Sequence, residues 1–450
     1  MRVINGLMFF PRGGSSQVVE ALAGELPDHG WETTIVSGSL PGGFGDARTF
    51  YADHDVHPVV FGEDAPMHPS FEDRPGAPDP VFASVDDVTY EAHVAAWCQA
   101  LEEADAAGAD ILQLHHLTPL NEAAARVAPH VPIVGHLHGT ELLMLEQIEE
   151  GAPDSWTHAE AWARRMRRWA RACTRLIVLT PSQVDRAVRL LGVDPRSCTV
   201  VPNGFDPVQF RPATVDRRAF WHEQLVLDPQ GSRPGQEAGT VRYEDAELGD
   251  LEDTVVLLAV GRYTAVKRLG LLIRAFEKAR QRTRRRAVLI LVGGHPGEWE
   301  GEHPAEAIAA TGADGVFLAG WHAHRALPAF FNAADVQVLA SPREQFGLVL
   351  VEGMACGLPP IAVDRMGPAD IVRDGETGWL VPPDDEEALA GAIVAAVDDG
   401  EERARRGLAA HRDAGARWAW PALAERVAEV LREAVDAVPT EDSCTPLSGR

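Results

Sequence analysis

The chain has 450 residues, a formal net charge of −26 and an apolar content of 45%. Its length predicts two domains, and its apolar content is typical of a globular protein. The acidic balance argues against binding to nucleic acid or to an anionic membrane, because both need a basic protein face. No run of about 18 apolar residues is present, so no transmembrane helix is expected.

The cysteines and the N-terminal segment favour a cytoplasmic protein. Five cysteines are scattered along the chain without a CxxC pair, a pattern typical of unpaired thiols in a reducing compartment and not of structural zinc. The first residues, MRVINGLMFF, lead directly into Pro11 and two glycines without a small-residue cleavage site. They therefore predict a first strand rather than a signal peptide.

Short apolar runs alternate with helical patterns through the first half of the chain. The predicted strands are 2–10, 33–37, 110–116, 132–139, 175–180 and 198–202. The helices predicted between them include 15–30 and 156–174, the second with five arginines crowding one face. Such alternation predicts a parallel sheet covered by helices. Residues 38–92 interrupt it, because their Gly, Pro, Asp and His content predicts no clear element.

The alternation resumes after a polar stretch, 222–252, whose composition suggests an insertion next to a domain boundary. The later strands are predicted at 254–261, 287–294, 315–320, 336–340 and 359–363, with helices at 269–281, 303–311, 325–334 and 347–356. These strands are continuous apolar runs, typical of strands buried on both faces. A final helix is predicted near 418–434. The fold class is therefore α/β, with two Rossmann-like doubly wound domains.

Two segments could hold an anionic ligand at the end of a strand. Gly13 and Gly14 lie between a strand and a helix, where a ligand could approach the backbone and meet the helix N-terminus. The alternative is a tight turn that needs positive φ angles. In the second domain, Arg262 follows a strand and Lys267, one of only two lysines, lies five residues on. Two cations at that edge suit a diphosphate, although an ordinary surface pair is the alternative.

Glu344 and Glu352 lie on either side of a predicted helix start at Gly347. Free backbone amides there could bind an anion or a hydroxyl, and both carboxylates could reach one ligand across the helix N-terminus. Carboxylates accept hydrogen bonds from paired sugar hydroxyls, so one could hold a hexose and the other a ribose. The alternative is a helix-terminal charge and a solvated residue. Glu352 lies in an apolar segment, however, where an unpartnered acid is costly.

Four histidines occupy neighbouring strand ends, namely His115, His116, His136 and His138. No carboxylate cluster or cysteine accompanies them, so a metal site is not favoured. His138 is expected to contact a substrate, and the other three to be buried. Asp53-His54-Asp55 resembles a DxD metal motif but has no clear flanking strand. The arginine-rich helix face favours a solvated surface over a membrane or acidic-acceptor site. No GxGxxG fingerprint is present, which argues against a nicotinamide or flavin enzyme.

Together these motifs resemble those of the retaining GT-B glycosyltransferases of family 4. The strongest similarity runs from Ser341 to Leu380, where the spacing of the two glutamates matches the family's EX7E signature. Weaker matches are PRGG at 11–14, HGT at 138–140, PNGFD at 202–206, and Gly261-Arg262 with Lys267. The resemblance covers nearly the whole chain.

The resemblance implies two Rossmann-like domains that face each other across a cleft. Residues 1–206 would form an acceptor-binding domain, joined by a C-terminal helix at about 415–437. Residues 207–414 would form the nucleotide-sugar-binding domain, and 438–450 a disordered tail. The implied reaction is a retaining transfer of a hexose-type sugar from a UDP-linked donor to a hydroxyl acceptor, without metal or cofactor. A nucleotide-sugar epimerase, a phosphorylase or a non-catalytic nucleotide-sugar-binding protein are the alternatives.

The resemblance also implies a role for each matched residue. Glu344 would contact the donor sugar, Glu352 would hold the ribose, and Arg262 and Lys267 would neutralise the departing diphosphate. His138 would lie near the transferred sugar. The backbone groups implied at the donor are those of Gly13, Gly14, Phe346, Gly347 and Leu348, with Gly294 and Trp321 near the base. The sequence departs from the family at Gly353, Pro360 and residues 365–367, which leaves the donor sugar open.

Overall fold

The chain forms two units in the computed structural model, which describes residues 1–43, 45–62, 65–72, 79–295 and 299–437. One unit contains residues 1–203 and the helix that begins at Trp420, and the other contains residues 204–419. The sequence placed these divisions at 206 and 414, and its predicted tail, 438–450, lies outside the described residues. Within the described ranges, no helix has the length and apolar character needed to cross a membrane.

The first unit is built on a parallel sheet of seven strands in the order β3-β2-β1-β4-β5-β6-β7. The strands are β1 (Arg2–Leu7), β2 (Glu32–Ser39), β3 (Asp55–Val60), β4 (Ile111–His115), β5 (Ile133–His136), β6 (Arg175–Val178) and β7 (Cys198–Val200). The helices are α1 (Gly14–Glu25), α2 (Ala47–Phe50), α3 (Asp87–Glu103), α4 (Pro119–Val127), α5 (Thr140–Gly151), α6 (Ala159–Ala172) and α7 (Pro181–Leu191).

The second unit is built on a parallel sheet of six strands in the order β10-β9-β8-β11-β12-β13. The strands are β8 (Val255–Val260), β9 (Ala287–Val292), β10 (Val316–Gly320), β11 (Val336–Leu339), β12 (Pro360–Val363) and β13 (Trp379–Val381). The helices are α8 (Arg217–His222), α9 (Asp245–Leu248), α10 (Leu269–Arg280), α11 (Pro304–Thr311), α12 (Leu327–Asn332), α13 (Leu348–Ala355), α14 (Gly367–Ile371), α15 (Glu386–Asp398) and α16 (Gly400–Arg417). The predicted α/β class with two doubly wound sheets is confirmed.

The last helix, α17 (Trp420–Asp436), packs on the sheet of the first unit although it follows the second unit in sequence. Its apolar stripe, which includes Leu423 and Val427, lies in the same buried cluster as Val3 of β1 and Ile111 of β4. Helix α1 contributes to that cluster as well. Both faces of a parallel sheet must be covered, and α17 covers part of one face together with α1.

The expectation of no clear element within residues 38–92 was wrong. Strand β3 lies in this region and pairs in parallel with β2 along six residues. The sequence does not predict this strand because it is the edge strand of the sheet, and its segment DVHPVV is not a continuous apolar run. Pro58 within it is tolerated for the same reason, since an edge strand has one side without a ladder.

The polar stretch 222–252, expected to be an insertion, covers the free edge of β10. Gln230 forms a bridge to Gly320, and the Tyr243 hydroxyl accepts a hydrogen bond from the Leu318 N–H at 2.8 Å. Gly231 approaches the Leu318 carbonyl so closely that a Cβ would lie 2.4 Å from that oxygen. Exposed strand edges invite pairing with other chains, and this segment blocks such pairing with irregular backbone.

In both sheets the order of the strands reverses beside the first strand of the unit, between β1 and β4 and between β8 and β11. Loops that follow these strands diverge at the carboxyl edge and leave a crevice there, which is the usual ligand site of open α/β sheets. Leu7 precedes the PRGG segment, and Val260 precedes Gly261-Arg262. The topology therefore places the candidate residues of each unit at its switch point.

We predict that Tyr243→Phe destabilises the second unit by about 1–3 kcal/mol, because it leaves a buried backbone N–H of Leu318 without an acceptor. Tyr263→Phe is the matched control, because the Tyr263 hydroxyl is buried without a hydrogen-bond partner in the described part of the chain. Urea unfolding of both variants would measure the difference. Equal losses in the two variants would contradict the role of Tyr243.

Candidate functional site

The candidate site of the second unit lies where five parallel strands end, and three glycines bring its loops together. A Cβ on Gly293 would lie 2.0 Å from the Gly261 carbonyl oxygen, so the loops after β8 and β9 touch through their backbones. The Gly293 N–H donates to the Gly320 carbonyl at 2.7 Å and joins the loop after β10. The backbones of these three loops therefore lie in direct contact, and a side chain at Gly293 would push them apart.

Lys267 and Glu344, both predicted site residues, are paired with each other in this unit. The Lys267 ammonium donates a hydrogen bond to Oε2 of Glu344, and both side chains are about four-fifths buried. The aliphatic part of Lys267 lies 3.5 Å from where a Cβ on Gly261 would stand. Arg262, by contrast, is exposed and forms no ion pair with a described residue. The site thus has one cation held by a carboxylate and one directed to solvent.

Glu352 is buried in α13, with 4% of its side chain exposed, and its partner was not predicted from sequence. His324, from the turn after β10, places its Nε2 2.6 Å from Oε1 of Glu352. A carboxylate this buried requires such a partner, since its desolvation would otherwise be uncompensated. Sequence offered only one signal, an acid within an apolar helix, and nothing indicated which residue would meet it.

The segment before α13 has the geometry of a binding loop. Gly347 caps the helix with a φ of 101°, a conformation that disfavours a side chain, and the amides of the first turn begin at Leu348. Phe346 is buried beneath a neighbouring loop, where Gly367 comes so close that a Cβ would lie 2.2 Å from the Phe346 carbonyl oxygen. The Gly367 N–H donates to the Glu344 carbonyl at 3.1 Å.

Two departures from the family pattern have physical explanations here. At Gly353, a Cβ would lie 2.1 Å from Oε1 of Gln337, so the glutamine side chain occupies the space of an alanine methyl group. Met366 has a φ of 54° and a ψ of −140°, a backbone conformation that favours glycine. The Gln345 amide donates to its sulfur at 3.4 Å and helps to hold it there.

Gly294 and Trp321, predicted near a nucleotide base, lie on adjacent loops. The residue after Gly294, His295, packs its ring edge-on to Trp321 with 5.5 Å between centroids. Gly294 itself has a φ of 71° and a Cβ there would lie 2.3 Å from the Tyr263 ring, so packing alone explains this glycine. Trp321 is 39% exposed and offers a flat apolar face at the rim.

In the first unit, Gly13 and Gly14 begin helix α1 without strained backbone. Gly13 is extended, with φ −146° and ψ −173°, and neither glycine has a positive φ. The alternative of a turn that needs positive φ angles was therefore wrong. A Cβ on either residue would meet no atom within 4 Å. The space beside both backbones is open at a helix N-terminus, as a close-approaching ligand requires.

His138 lies after β5 in a buried stack with the three other histidines. Its ring lies parallel to that of His136 at 4.9 Å, and its Nε2 is 2.9 Å from Nδ1 of His115. Glu141, fully buried at the start of α5, accepts from the His138 N–H at 3.0 Å and lies 3.3 Å from Nδ1 of His116. Glu141 was not predicted as part of this site.

Burial keeps three rings of this stack neutral, those of His115, His136 and His138. It is the largest cause that lowers the pKa of His136 to about 3, with the neighbouring His116 charge second. The pKa values of His115 and His138 are also lowered well below the usual range, again chiefly by burial. At neutral pH His138 can therefore offer a ring nitrogen for hydrogen bonding but carries no charge.

The other motifs do not form sites. Most arginines of α6 hold the first unit together, since Arg165 pairs with Asp87 and Arg168 with Glu122, while Arg171 donates to the Leu191 carbonyl. Asp55 begins β3, so it lies at the amino ends of the parallel strands, whereas the candidate site lies at their carboxyl ends. Across the described ranges, no group of three or more His, Cys, Asp or Glu side chains is arranged to hold a metal ion.

Two family models match the chain, one for each unit. Residues 12–209 match the model described as Glycosyltransferase Family 4, and residues 242–413 match the model described as Glycosyl transferases group 1. The first match contains Gly13, Gly14 and His138. The second contains Glu344 and Glu352 with their partners Lys267 and His324. The boundary between the matches falls near the start of the second unit.

Curated relatives agree with these models. The chain is 32% identical over 271 residues to D-inositol 3-phosphate glycosyltransferase 2 of Catenulispora acidiphila, covering 59% of this chain and 57% of that protein. It is 28% identical over 354 residues to the D-inositol 3-phosphate glycosyltransferase of Stackebrandtia nassauensis, covering 76% and 72%. The first match thus spans little more than half of the relative's length.

Solved structures share the fold over nearly the whole chain. Sucrose-phosphate synthase of Thermosynechococcus elongatus superposes with a TM-score of 0.70 at 20% identity, covering 97% of this chain and all of that one. Anabaena HepE in complex with UDP and glucose gives 0.69 at 18% identity, covering 96% and 99%. Two doubly wound units of this kind define the GT-B class of protein. Within that class, the chain belongs to glycosyltransferase family 4.

We predict that stability of the first unit falls as the pH is lowered below about 6.5, the usual histidine pKa in an unfolded chain. His136 is neutral when folded, with a pKa of about 3, and gains a proton on unfolding. At pH 5 this one residue should cost about 2 kcal/mol relative to neutral pH.

His136→Asn keeps an acceptor for Gln113 and removes this proton uptake, so urea unfolding between pH 4 and 7 should show a shallower pH dependence. His130→Gln, at an exposed position, is the control. An unchanged slope in the Asn variant would mean that His136 already titrates normally in the folded protein.

Proposed function

We propose that this protein is a retaining glycosyltransferase that moves a hexose from a UDP-linked donor to a hydroxyl acceptor without a metal ion. The observation that carries the proposal is the pair of carboxylates around the N-terminus of α13, Glu344 held by Lys267 and Glu352 by His324. Arg262 follows the same strand as Lys267 and is exposed. The family models and the names of the relatives support glycosyl transfer. The fold shared with a protein that binds UDP and glucose supports a uridine nucleotide.

The proposed donor site uses opposite charges for different parts of one molecule. Glu344 accepts from hydroxyls of the sugar, Glu352 from those of the ribose, and the amides from Phe346 to Leu348 support the sugar and phosphates. Lys267 now pairs with Glu344, so donor binding requires the ammonium to turn toward the diphosphate or to be shared with it. Arg262 is exposed and needs no such exchange.

The chemical step breaks the bond between the anomeric carbon and the leaving phosphate oxygen. Both electrons of that bond go to the nucleoside diphosphate, and Arg262 and Lys267 stabilise the developing negative charge. The acceptor oxygen forms the new bond on the face that the phosphate leaves, which retains the configuration. Its proton goes to the departing phosphate oxygen. No covalent enzyme intermediate is assigned, and the cations with the α13 amides take the place of a metal.

We assign the acceptor to the first unit. Neutral His138 can hydrogen-bond a hydroxyl of the transferred sugar or of the acceptor. Gly13 and Gly14 leave open space at the N-terminus of α1, and we keep their assignment to the donor. The relatives are named for transfer to an inositol phosphate, which supports a hydroxyl-rich small molecule as acceptor.

We expect Lys267→Ala to lower turnover by about 10²- to 10³-fold, the usual effect of losing one preorganised contact to a transition-state charge. Lys278→Ala is the matched control, because Lys278 is the only other lysine and pairs with Glu386 on the surface of α10. Steady-state transfer from UDP-glucose would measure both. Normal turnover in Lys267→Ala would refute the assignment of this residue.

Donor binding can be tested without knowing the acceptor. UDP at about 100 times its dissociation constant should add roughly 2.7 kcal/mol to the unfolding free energy of the wild type. The same experiment with GDP and ADP tests the base, and Glu352→Ala should lose the response. Release of altered free sugar from UDP-glucose would favour an epimerase, and binding without any turnover would favour a sensor.

A further inference from the structure

We propose that His324 is a positioning residue that orients the Glu352 carboxylate and thereby makes nucleotide binding selective for ribose over 2′-deoxyribose. The inference rests on the proposed nucleotide site and assigns to it a residue outside the EX7E pattern. The observation behind it is the 2.6 Å contact between Nε2 of His324 and Oε1 of a carboxylate that is 4% exposed.

The two oxygens of Glu352 have different surroundings. Oε1 is held by His324, whereas Oε2 forms no hydrogen bond with any residue in the described part of the chain. A carboxylate with one oxygen fixed can rotate little about its terminal bond, because rotation would break a short, charge-assisted hydrogen bond. The second oxygen therefore keeps a fixed direction toward an incoming hydroxyl.

His324 is itself held in place by its turn and by a neighbouring aromatic ring. It opens a short 3-10 turn after β10, and its ring packs against Phe210 with 5.2 Å between centroids. One helical turn beyond Glu352, burial and then the Glu352 charge raise the pKa of the Cys356 thiol to about 12. That thiol therefore stays protonated and adds no second negative charge beside Glu352.

Fixed orientation has a consequence for selectivity. A carboxylate that accepts from a ribose hydroxyl in one geometry loses that bond when the hydroxyl is absent, and the site then leaves a buried charge less well satisfied. A carboxylate free to rotate would instead bind whichever hydroxyl remains, or water. Loss of the His324 contact should therefore weaken ribonucleotides more than deoxyribonucleotides.

His324 and its neighbour His322 provide matched variants. His324→Phe keeps a ring against Phe210 and removes the donor, while His324→Gln keeps a donor at a similar reach. His322→Ala alters the same segment, but its ring lies 3.0 Å from the Ala319 carbonyl oxygen and packs on Phe330, away from Glu352. It reports any general disturbance of the turn.

The experiment is calorimetric titration of the full chain with UDP and with 2′-deoxy-UDP. We expect the wild type to prefer UDP by about tenfold, the usual value of one hydrogen bond to a charged group. His324→Phe should bind UDP about tenfold more weakly and show almost no preference. His324→Gln and His322→Ala should keep the preference.

Several results would overturn the inference. A full preference in His324→Phe would show that Glu352 needs no positioning by this residue. Loss of preference in His324→Gln as well would show that a donor at this position is not enough to orient Glu352, and it would contradict the proposed role of the hydrogen bond. These results leave the nucleotide site intact, because the wild type still binds UDP. If the wild type binds neither nucleotide, the proposed function fails, and the role of His324 fails with it.

Discussion

Holding two largely desolvated carboxylates at one edge of the sheet is the constraint on which the second unit depends. Glu344 and Glu352 are held beside an apolar helix, where an unpaired negative charge would be severely destabilising. Each is matched by a donor from a different loop, Lys267 after β8 and His324 after β10. The loops can supply these partners only because the parallel sheet brings the carboxyl ends of its strands to one edge. The pairing of the two glutamates therefore depends on the order of the strands in the sheet.

The same requirement explains much of the surrounding structure. The loops must approach closely for their side chains to meet, and Gly261, Gly293 and Gly320 provide backbone contact without side-chain bulk. Edge strand β10 must stay in place, because the turn with His324 follows it. The segment with Gln230 and Tyr243 covers its open side. What the composition suggested to be an insertion is thus part of the support of the site.

The carboxyl edge of the first unit carries a different set of residues. This unit buries four histidines and Glu141 at the carboxyl edge of its sheet, and burial keeps the rings of His115, His136 and His138 from carrying charge. Neutral rings offer hydrogen bonds without attracting anions. In the second unit the corresponding edge carries charge, with Lys267 paired to Glu344 and Arg262 exposed. The first six strands of the two sheets follow the same order, so this contrast comes from the residues placed at their carboxyl ends.

The sequence alone determined the fold class, because continuous apolar runs at regular spacing permit little besides buried parallel strands. It also singled out Glu352, since an acid in an apolar helix needs a partner wherever it folds, and Glu344 by its spacing from Glu352. It missed β3, because an edge strand has neither the apolar run nor the exclusion of proline that marks a central one. It could not identify His324 or Glu141 as partners. Those residues lie 28 positions from Glu352 and 25 from His116, and only the strand order brings them within hydrogen-bond distance.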